Sequence, residues 1–192
     1  MITYPASLVG KTKLDTYNFD ANDNPLFGKY SNRFQNVEYQ PVLSITLGLP
    51  PLSGDEALDL VAFLVQRDNF MLGPPGYVGP TGLGNALVRG ADQAGTSINT
   101  DNWTDANTQV MRSALWIEIN GQINILTAPV ITDGSRRASL NLAIPQMISP
   151  PDNQPINYST PQGLWRVTTE RRWSIDEIMT YRTSFQITQI FT

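Results

Sequence analysis

Hydrolytic chemistry in this chain would have to run on carboxylates, because the sequence contains no histidine and no cysteine. Two acids flanking a bond can divide proton transfer and nucleophilic attack between them, as in glycoside cleavage. The candidates are Glu118, Glu170, Asp176 and Glu177. Nothing in their spacing forces two of them onto one substrate, and each reads as a solvated surface charge. No catalytic residue is assigned, and the chain is read as a non-enzyme. Asp20-x-Asn22-x-Asn24 has the oxygen-ligand spacing that opens a calcium loop. Pro25 stands where such a loop needs glycine, and Ser31 where it needs a closing glutamate, so the segment reads as a turn. Gly79-x-x-Gly82-x-Gly84 lacks the following Lys-Ser/Thr of a phosphate cradle and reads as a loop. No metal and no cofactor are expected.

Other side chains suit binding better than bond-breaking. Trp103, Trp116, Trp165 and Trp173 could stack on sugars, or could fill a core or a subunit interface. Trp103 and Trp116 are the candidates for glycan contact. Arg171-Arg172, next to Trp173, could pair with acidic groups across an interface or lie in a solvated turn.

Composition narrows the field further. The chain has 192 residues, 41% of them apolar, which suits one large domain or a domain with a small insert. Charged residues make up only 16%, against about 25% in ordinary domains. Asn, Gln, Ser and Thr replace them. A neutral polar surface is easier to strip of water than a charged one, so it suits permanent contacts. The net charge is −4 and no run of Lys or Arg is dense enough to neutralise phosphates, so no nucleic-acid specificity is expected. Without cysteine there are neither disulfides nor thiol nucleophiles. No apolar run approaches the ~18 residues of a membrane span. The N-terminal residues lack the apolar core of a signal peptide, which implies synthesis and folding in a cytoplasm.

The elements that must position these residues are mostly strands. Residues 1–32 read as an irregular, polar arm or loop with short strands, of a kind that reaches a neighbouring subunit. Residues 34–47 alternate, with Leu43, Ile45 and Leu47 on one face, and Leu49-Pro50-Pro51-Leu52 ends the strand. Ser53-Gly54-Asp55-Glu56 is a capping box that opens a helix over 54–67. Leu58, Val61 and Val65 are spaced for its buried face, widened by Leu60 and Ala62. A short strand at Phe70 leads into a Gly- and Pro-rich loop over 70–86. Residues 87–147 read as a small inserted β-barrel-like unit. In it Asn120-Gly121 joins a hairpin, Asp133-Gly134 makes a second turn, and Ala138, Leu140, Leu142 and Ile144 alternate. A Pro/Asn/Gln loop fills 148–163. Strands begin at Leu164 and carry Tyr181, Phe185 and Ile187 at the end. The fold class expected is mainly β. Residues 1–86 and 148–192 form a discontinuous β-sandwich belt with one flanking helix, and 87–147 forms the insert.

The ordered segments resemble a family. The strand ending in Leu-Pro-Pro (Leu43 to Pro51) precedes an Ala-Phe-Leu helix segment (Ala62 to Leu64). Phe70-Met-Leu-Gly-Pro-Pro75 follows, then Val88-Arg-Gly-Ala-Asp-Gln-Ala-Gly-Thr96 and Trp103. Ala-Ser-Leu-Asn-Leu (Ala138 to Leu142), Ile144-Pro145, Pro161-Gln-Gly-Leu-Trp-Arg166, Trp173 and Tyr181-x-x-Ser-Phe185 complete the set. Over about residues 34–187 this is similar to the distal tail, or minor tail, proteins at the tail tip of long-tailed bacteriophages. One departure is Arg112-Ser113-Ala114, where the family often has a Gly-Asp turn. The resemblance implies a virion structural protein at the tail tip. Six copies would form a ring that joins the tail tube protein to hub and baseplate proteins. It implies no catalytic residue. Interface candidates are Tyr17, Phe19, Phe27, Tyr77, Pro80, Arg171 and Arg172, with the 1–32 arm and the 70–86 and 148–163 loops as contact surfaces. A carbohydrate-binding module for adsorption to host-surface glycan is the alternative, and a wall-degrading hydrolase a third reading.

Overall fold

The computed structural model describes residues 1–21, 41–66, 68–168, 174–175 and 181–191. Its elements, in chain order, are β1 (Ile2–Thr3), α1 (Ala6–Val9), β2 (Lys13–Ala21), β3 (Pro41–Leu52), α2 (Gly54–Gln66), β4 (Phe70–Leu72), β5 (Gly84–Val88), β6 (Gly95–Trp103), β7 (Gln109–Met111), β8 (Trp116–Ile119), β9 (Gln122–Ile125), β10 (Val130–Ile131), β11 (Ala138–Gln146), β12 (Ile156–Asn157), β13 (Gly163–Val167), β14 (Ser174–Ile175) and β15 (Tyr181–Gln189). The protein is mainly β. Among the described residues no helix is long and apolar enough to cross a membrane.

The largest sheet runs β1-β4-β13-β15-β3-β2, with β14 also paired to β15. Its first pair is parallel and the others are antiparallel. Leu43, Ile45, Leu47 and Leu49 of β3 are all buried, as the alternation predicts. The segment Leu49-Pro50-Pro51-Leu52 ends the strand, as expected. The strand runs through both prolines to Leu52, which pairs with Tyr181. Proline costs a strand its ladder donor. Here β2 leaves β3 after Gly48, and the β15 register slips between Tyr181 and Thr183, so the missing donors fall where one edge is free.

The N-terminal residues are also more ordered than an arm. Tyr4, Leu8 and Thr12 are buried, and eight of the nine β2 residues pair with β3. Residues 22–32, including Phe27, lie outside the described residues. The β2 strand escapes a period-two reading because its register slips between Leu14 and Thr16. That bulge shifts the sequence alternation from even (Leu14) to odd (Tyr17, Phe19).

Helix α2 packs on this sheet. Ala57, Leu60, Phe63 and Leu64 are buried, whereas Leu58 and Val65 are 68% and 62% exposed. The expected face was the wrong one. Nearly every position from 57 to 65 is apolar, so two stripes fit helical spacing, and the one carrying Phe63 wins. Phe63 meets Phe70 edge-on at 4.8 Å and Tyr4 at 5.2 Å, which pins the N-terminal segment, helix and sheet together. The capping box holds in its return half: the Ser53 amide donates to Glu56 Oε2 at 3.1 Å.

The middle of the chain builds two three-stranded sheets, β11-β6-β5 and β12-β8-β9, and the β7–β10 ladder. The short strand β12 lies inside the stretch expected to be a loop. At one margin a single bridge links Leu87 to Pro155, and at the other a single bridge links Leu126 to Leu142. Neither margin is a continuous ladder, so no sheet closes into a barrel among the described residues. The hairpin turn is as expected: Asn120 and Gly121 have φ of 52° and 76°, the two positive values of a type I′ turn. Buried side chains form two clusters. One gathers Tyr4, β3, α2, Phe70, Trp165, Phe185 and Ile187. The other gathers residues from Ala86 to Tyr158. Strand β8 serves both, sending Trp116 to the first and Ile117 and Ile119 to the second.

Buried amides close the junction of the two clusters. Between Asn141 and Gln146 the β11 register slips away from β6. There Asn124 takes over: its Nδ2 donates to the Ile144 carbonyl at 2.8 Å, and its Oδ1 accepts from the amides of Ala143 and Ile144, both at 3.1 Å. Gln122 does the same for Pro145 and Met147, at 2.8 and 2.9 Å. Gln189, with its amide turned to satisfy both partners, donates to the Ile123 carbonyl (3.2 Å) and accepts from its N–H (2.6 Å). Side chains here do for the backbone what a neighbouring strand would do.

Three carboxylates are held below their usual range. Lys11 and the Ser53 amide do this for Glu56, the N-terminal ammonium for Asp68, and the amides of Arg137 and Ser135 for Asp133. A lowered folded value adds stability that is complete above the ordinary values of 3.8 to 4.5 and is lost as pH falls through the lower folded values. The urea midpoint should therefore stay level from neutrality down to about pH 5 and drop below about pH 4. Asp133→Asn should shrink that drop; an unchanged acid limb would count against the assignment.

Candidate interface surfaces

All three of the surfaces expected to make contacts, the 1–32 segment and the 70–86 and 148–163 loops, line one groove. The loop after β4 turns at Pro74-Pro75-Gly76-Tyr77, where the Tyr77 amide donates to the Pro74 carbonyl at 3.1 Å. Proline at the second position and Gly76 at φ 72° give a type II turn. The segment 160–162 lies against this loop so closely that a Cβ on Gly73 would sit 2.7 Å from the Pro161 carbonyl oxygen. Thr3, Tyr4, Val9 and Thr12 supply the facing wall. Together they enclose about 420 Å³, and none of the lining residues is charged.

The floor of the groove is buried and the rim is open. Tyr4, Thr12, Pro74 and Pro161 are buried; Thr3, Val9, Met71, Thr160 and Gln162 are exposed. Thr12 Oγ1 donates to the Leu8 carbonyl at 2.7 Å. Its one hydrogen is thereby used, so in the 2.7 Å contact between Tyr4 Oη and Thr12 Oγ1 the tyrosine donates. Burial raises the Tyr4 pKa and keeps the phenol neutral. Tyr77, half-buried, reaches from the groove to the β8 hairpin, donating to the Trp116 carbonyl at 3.0 Å.

Pro80 lies in a second recess of about 680 Å³, shared with residues of β5, Asn102 and the 155–159 segment. Here Gly79 is wedged: its amide donates to the Ser159 carbonyl at 3.2 Å. Tyr77 and Pro80 thus stand on one loop but line different recesses. Tyr17 and Phe19 belong to β2, paired with Ile45 and Leu43. Phe27, Arg171 and Arg172 lie outside the described residues.

Of the tryptophans that could stack on sugars, Trp103, Trp116 and Trp165 are buried, and Trp173 lies outside the described residues. Trp103 is 1% exposed and Trp116 is 8% exposed. Trp103 stacks on Tyr158 at 6.1 Å and donates from Nε1 to Thr100 Oγ1 at 2.9 Å. Both indoles are core residues, and neither is the shallow platform that sugar stacking needs. Glu118 is occupied structurally, accepting from the Gly121 amide at 3.2 Å and Asn157 Nδ2 at 3.0 Å. Glu170, Asp176 and Glu177 lie outside the described residues. Among the described residues no group of three or more acidic side chains is placed to hold a metal ion. Sequence reasoning missed Tyr4 and Thr12; their eight-residue separation carries no local pattern, and only the α1 turn brings them together. No protein-family model matches the chain, and no curated protein is similar to it.

Proposed function

We propose that this chain is a structural subunit of a bacteriophage tail tip. In this reading it is a non-enzymatic, ring-forming adaptor, with six copies, between the tail tube and the hub or baseplate of the virion. The observation that carries the reading is the groove. The 70–86 and 148–163 loops, expected as contact surfaces for their low charge and prolines, converge there on an uncharged, Pro-stiffened surface. Repeating one such neutral contact by cyclic symmetry yields a stiff ring without any single strong bond.

We read the seven-stranded sheet with α2 as the belt, one layer of a sandwich, and the middle of the chain as an inserted module. The separate buried cluster supports the insert. Because that cluster includes Ala86, Ile156 and Tyr158, we set the edges of the module near 83 and 158 rather than 87 and 147. The glycan-binding alternative finds no platform at Trp103, Trp116 or Trp165, which are all buried, and Trp173 lies outside the described residues.

Native mass spectrometry of the purified chain, alone and with the tail-tube subunit, tests the adaptor. A closed ring is expected in at least the second sample. A monomer that persists with the tube protein at high concentration would sink the reading.

A further inference from the structure

Helix α2 carries more apolar surface than its own fold uses. Its sheet-facing stripe, Ala57, Leu60, Phe63 and Leu64, is buried. A second stripe, Leu58, Val61, Ala62 and Val65, runs along the opposite side at the i, i+3, i+4, i+7 spacing of a helix. Leu58, Ala62 and Val65 are exposed and Val61 is half-buried. A helix packed on one sheet needs one apolar face, and a second contiguous one in water is a feature of contact surfaces. The N-terminal segment does not cover it. That segment lies along another flank of α2, where Lys11 and Ser7 donate to Glu56 and Asp59.

The spacing of the stripe identifies what covers it. It reads the same from either end, because Leu58 and Val65 lie equally far from the midpoint between Val61 and Ala62. Laid antiparallel on a copy of itself, it sets Leu58 against Val65 of the other copy and Val61 against Ala62. A larger side chain then faces a smaller one at each level, and Ala62 lets the two backbones approach. The charges fix the direction. Asp55 and Asp59 border the stripe in the N-terminal half of α2, and neutral Gln66 borders it in the C-terminal half. A parallel pair would bring acid beside acid. An antiparallel pair brings Asp55 beside Gln66 and sets the positive end of each helix dipole near the negative end of the other.

We propose that the exposed stripe of α2 binds the same stripe of a second copy of this chain, as an antiparallel, two-fold symmetric helix pair. Such a contact uses one patch twice. It is therefore separate from a head-to-tail ring, which joins two different patches, and it holds with or without the ring. One helix face per copy is a small contact beside the roughly 1,200 Å² of a stable interface. The pair therefore forms at high protein concentration, or where copies are already held close together.

Sedimentation equilibrium of the full chain, with no other protein present, tests this. The mass should double as the concentration rises from about 1 μM to about 1 mM. Leu58→Lys or Val65→Glu alone should raise the dissociation constant by about ten-fold or more, because each sets a charge against an apolar side chain. The two together should restore most of the pairing, since the antiparallel register puts each new lysine beside a new glutamate of the other copy. Both positions are exposed, so the circular dichroism of every variant should match the parent. The readout is a factor of two, so it applies to a monomer and to a ring alike. A mass that never doubles would overturn the proposal, as would single variants that double as readily as the parent. A double variant that fails to regain pairing would overturn it too, because the antiparallel register requires the rescue.

Discussion

Gly79→Ala should lower the thermal midpoint by roughly 10 °C. A Cβ at this position would lie 1.8 Å from the Tyr158 carbonyl oxygen, 2.8 Å from its carbon and 2.9 Å from Ser159 Cα. All three are backbone atoms, so no side chain can swing aside. The loop must move, and the hydrogen bond from the Gly79 amide to Ser159 must lengthen or break. Overpacking of this kind costs about 3 kcal/mol. Gly54→Ala is the control. It has nothing within 4 Å and opens α2, so alanine there should be neutral or slightly stabilising. Equal midpoints for the two variants would show that the 79–159 contact is not tight.

Asn124→Ala should be nearly as damaging, at about 3 kcal/mol or more. The side chain is 1% exposed and serves four backbone groups: the amides of Ile125, Ala143 and Ile144, and the Ile144 carbonyl. Alanine leaves buried donors and an acceptor without partners, and a methyl-lined gap admits little water to replace them. Asn141→Ala, at an exposed position of β11, should stay within about 0.5 kcal/mol of the parent. Amide hydrogen exchange is the sharper readout. Protection should fall first at Ala143 and Ile144 and spread to the β8–β9 hairpin. A uniform loss across the chain would mean the amides do not bind the two clusters specifically.

These two residues also mark where the sequence is silent. Regular elements with one buried face were legible: β3 through Leu43, Ile45 and Leu47, the bounds of α2, the Asn120-Gly121 turn, and β11 through its alternating Ala138 to Ile144. Each follows from a local period or a turn requirement. The face of α2 was not legible, because Leu58 and Phe63 both sit on plausible apolar stripes and only contact with Tyr4 and Phe70 decides between them. Strand β2 was hidden by its bulge and β12 by its two-residue length. The amide junction left no trace beyond a high content of neutral polar residues. Part of that content lies inside the chain, at the buried Gln122, Asn124, Gln146 and Gln189. Of the candidate surface, the two loops were legible from proline and glycine. The Tyr4–Thr12 floor was not, since it depends on a helical turn with no side-chain cap to announce it.

The wedge at Gly79 also bears on how the chain reaches this fold. Strand β4 must find β13 to complete the large sheet, and the paired residues Leu72 and Gly163 are about ninety positions apart. Closing so long a loop in an extended chain is slow. Residues 84–158 can first assemble from nearer neighbours. The Gly79–Ser159 hydrogen bond then brings the two exits of that segment together, and the loop still to be closed shrinks to about eleven residues. The entropy of closure falls by about 2 kcal/mol, a factor of roughly twenty to thirty in rate. A middle segment that assembles first would thus act as a template that aligns the outer strands.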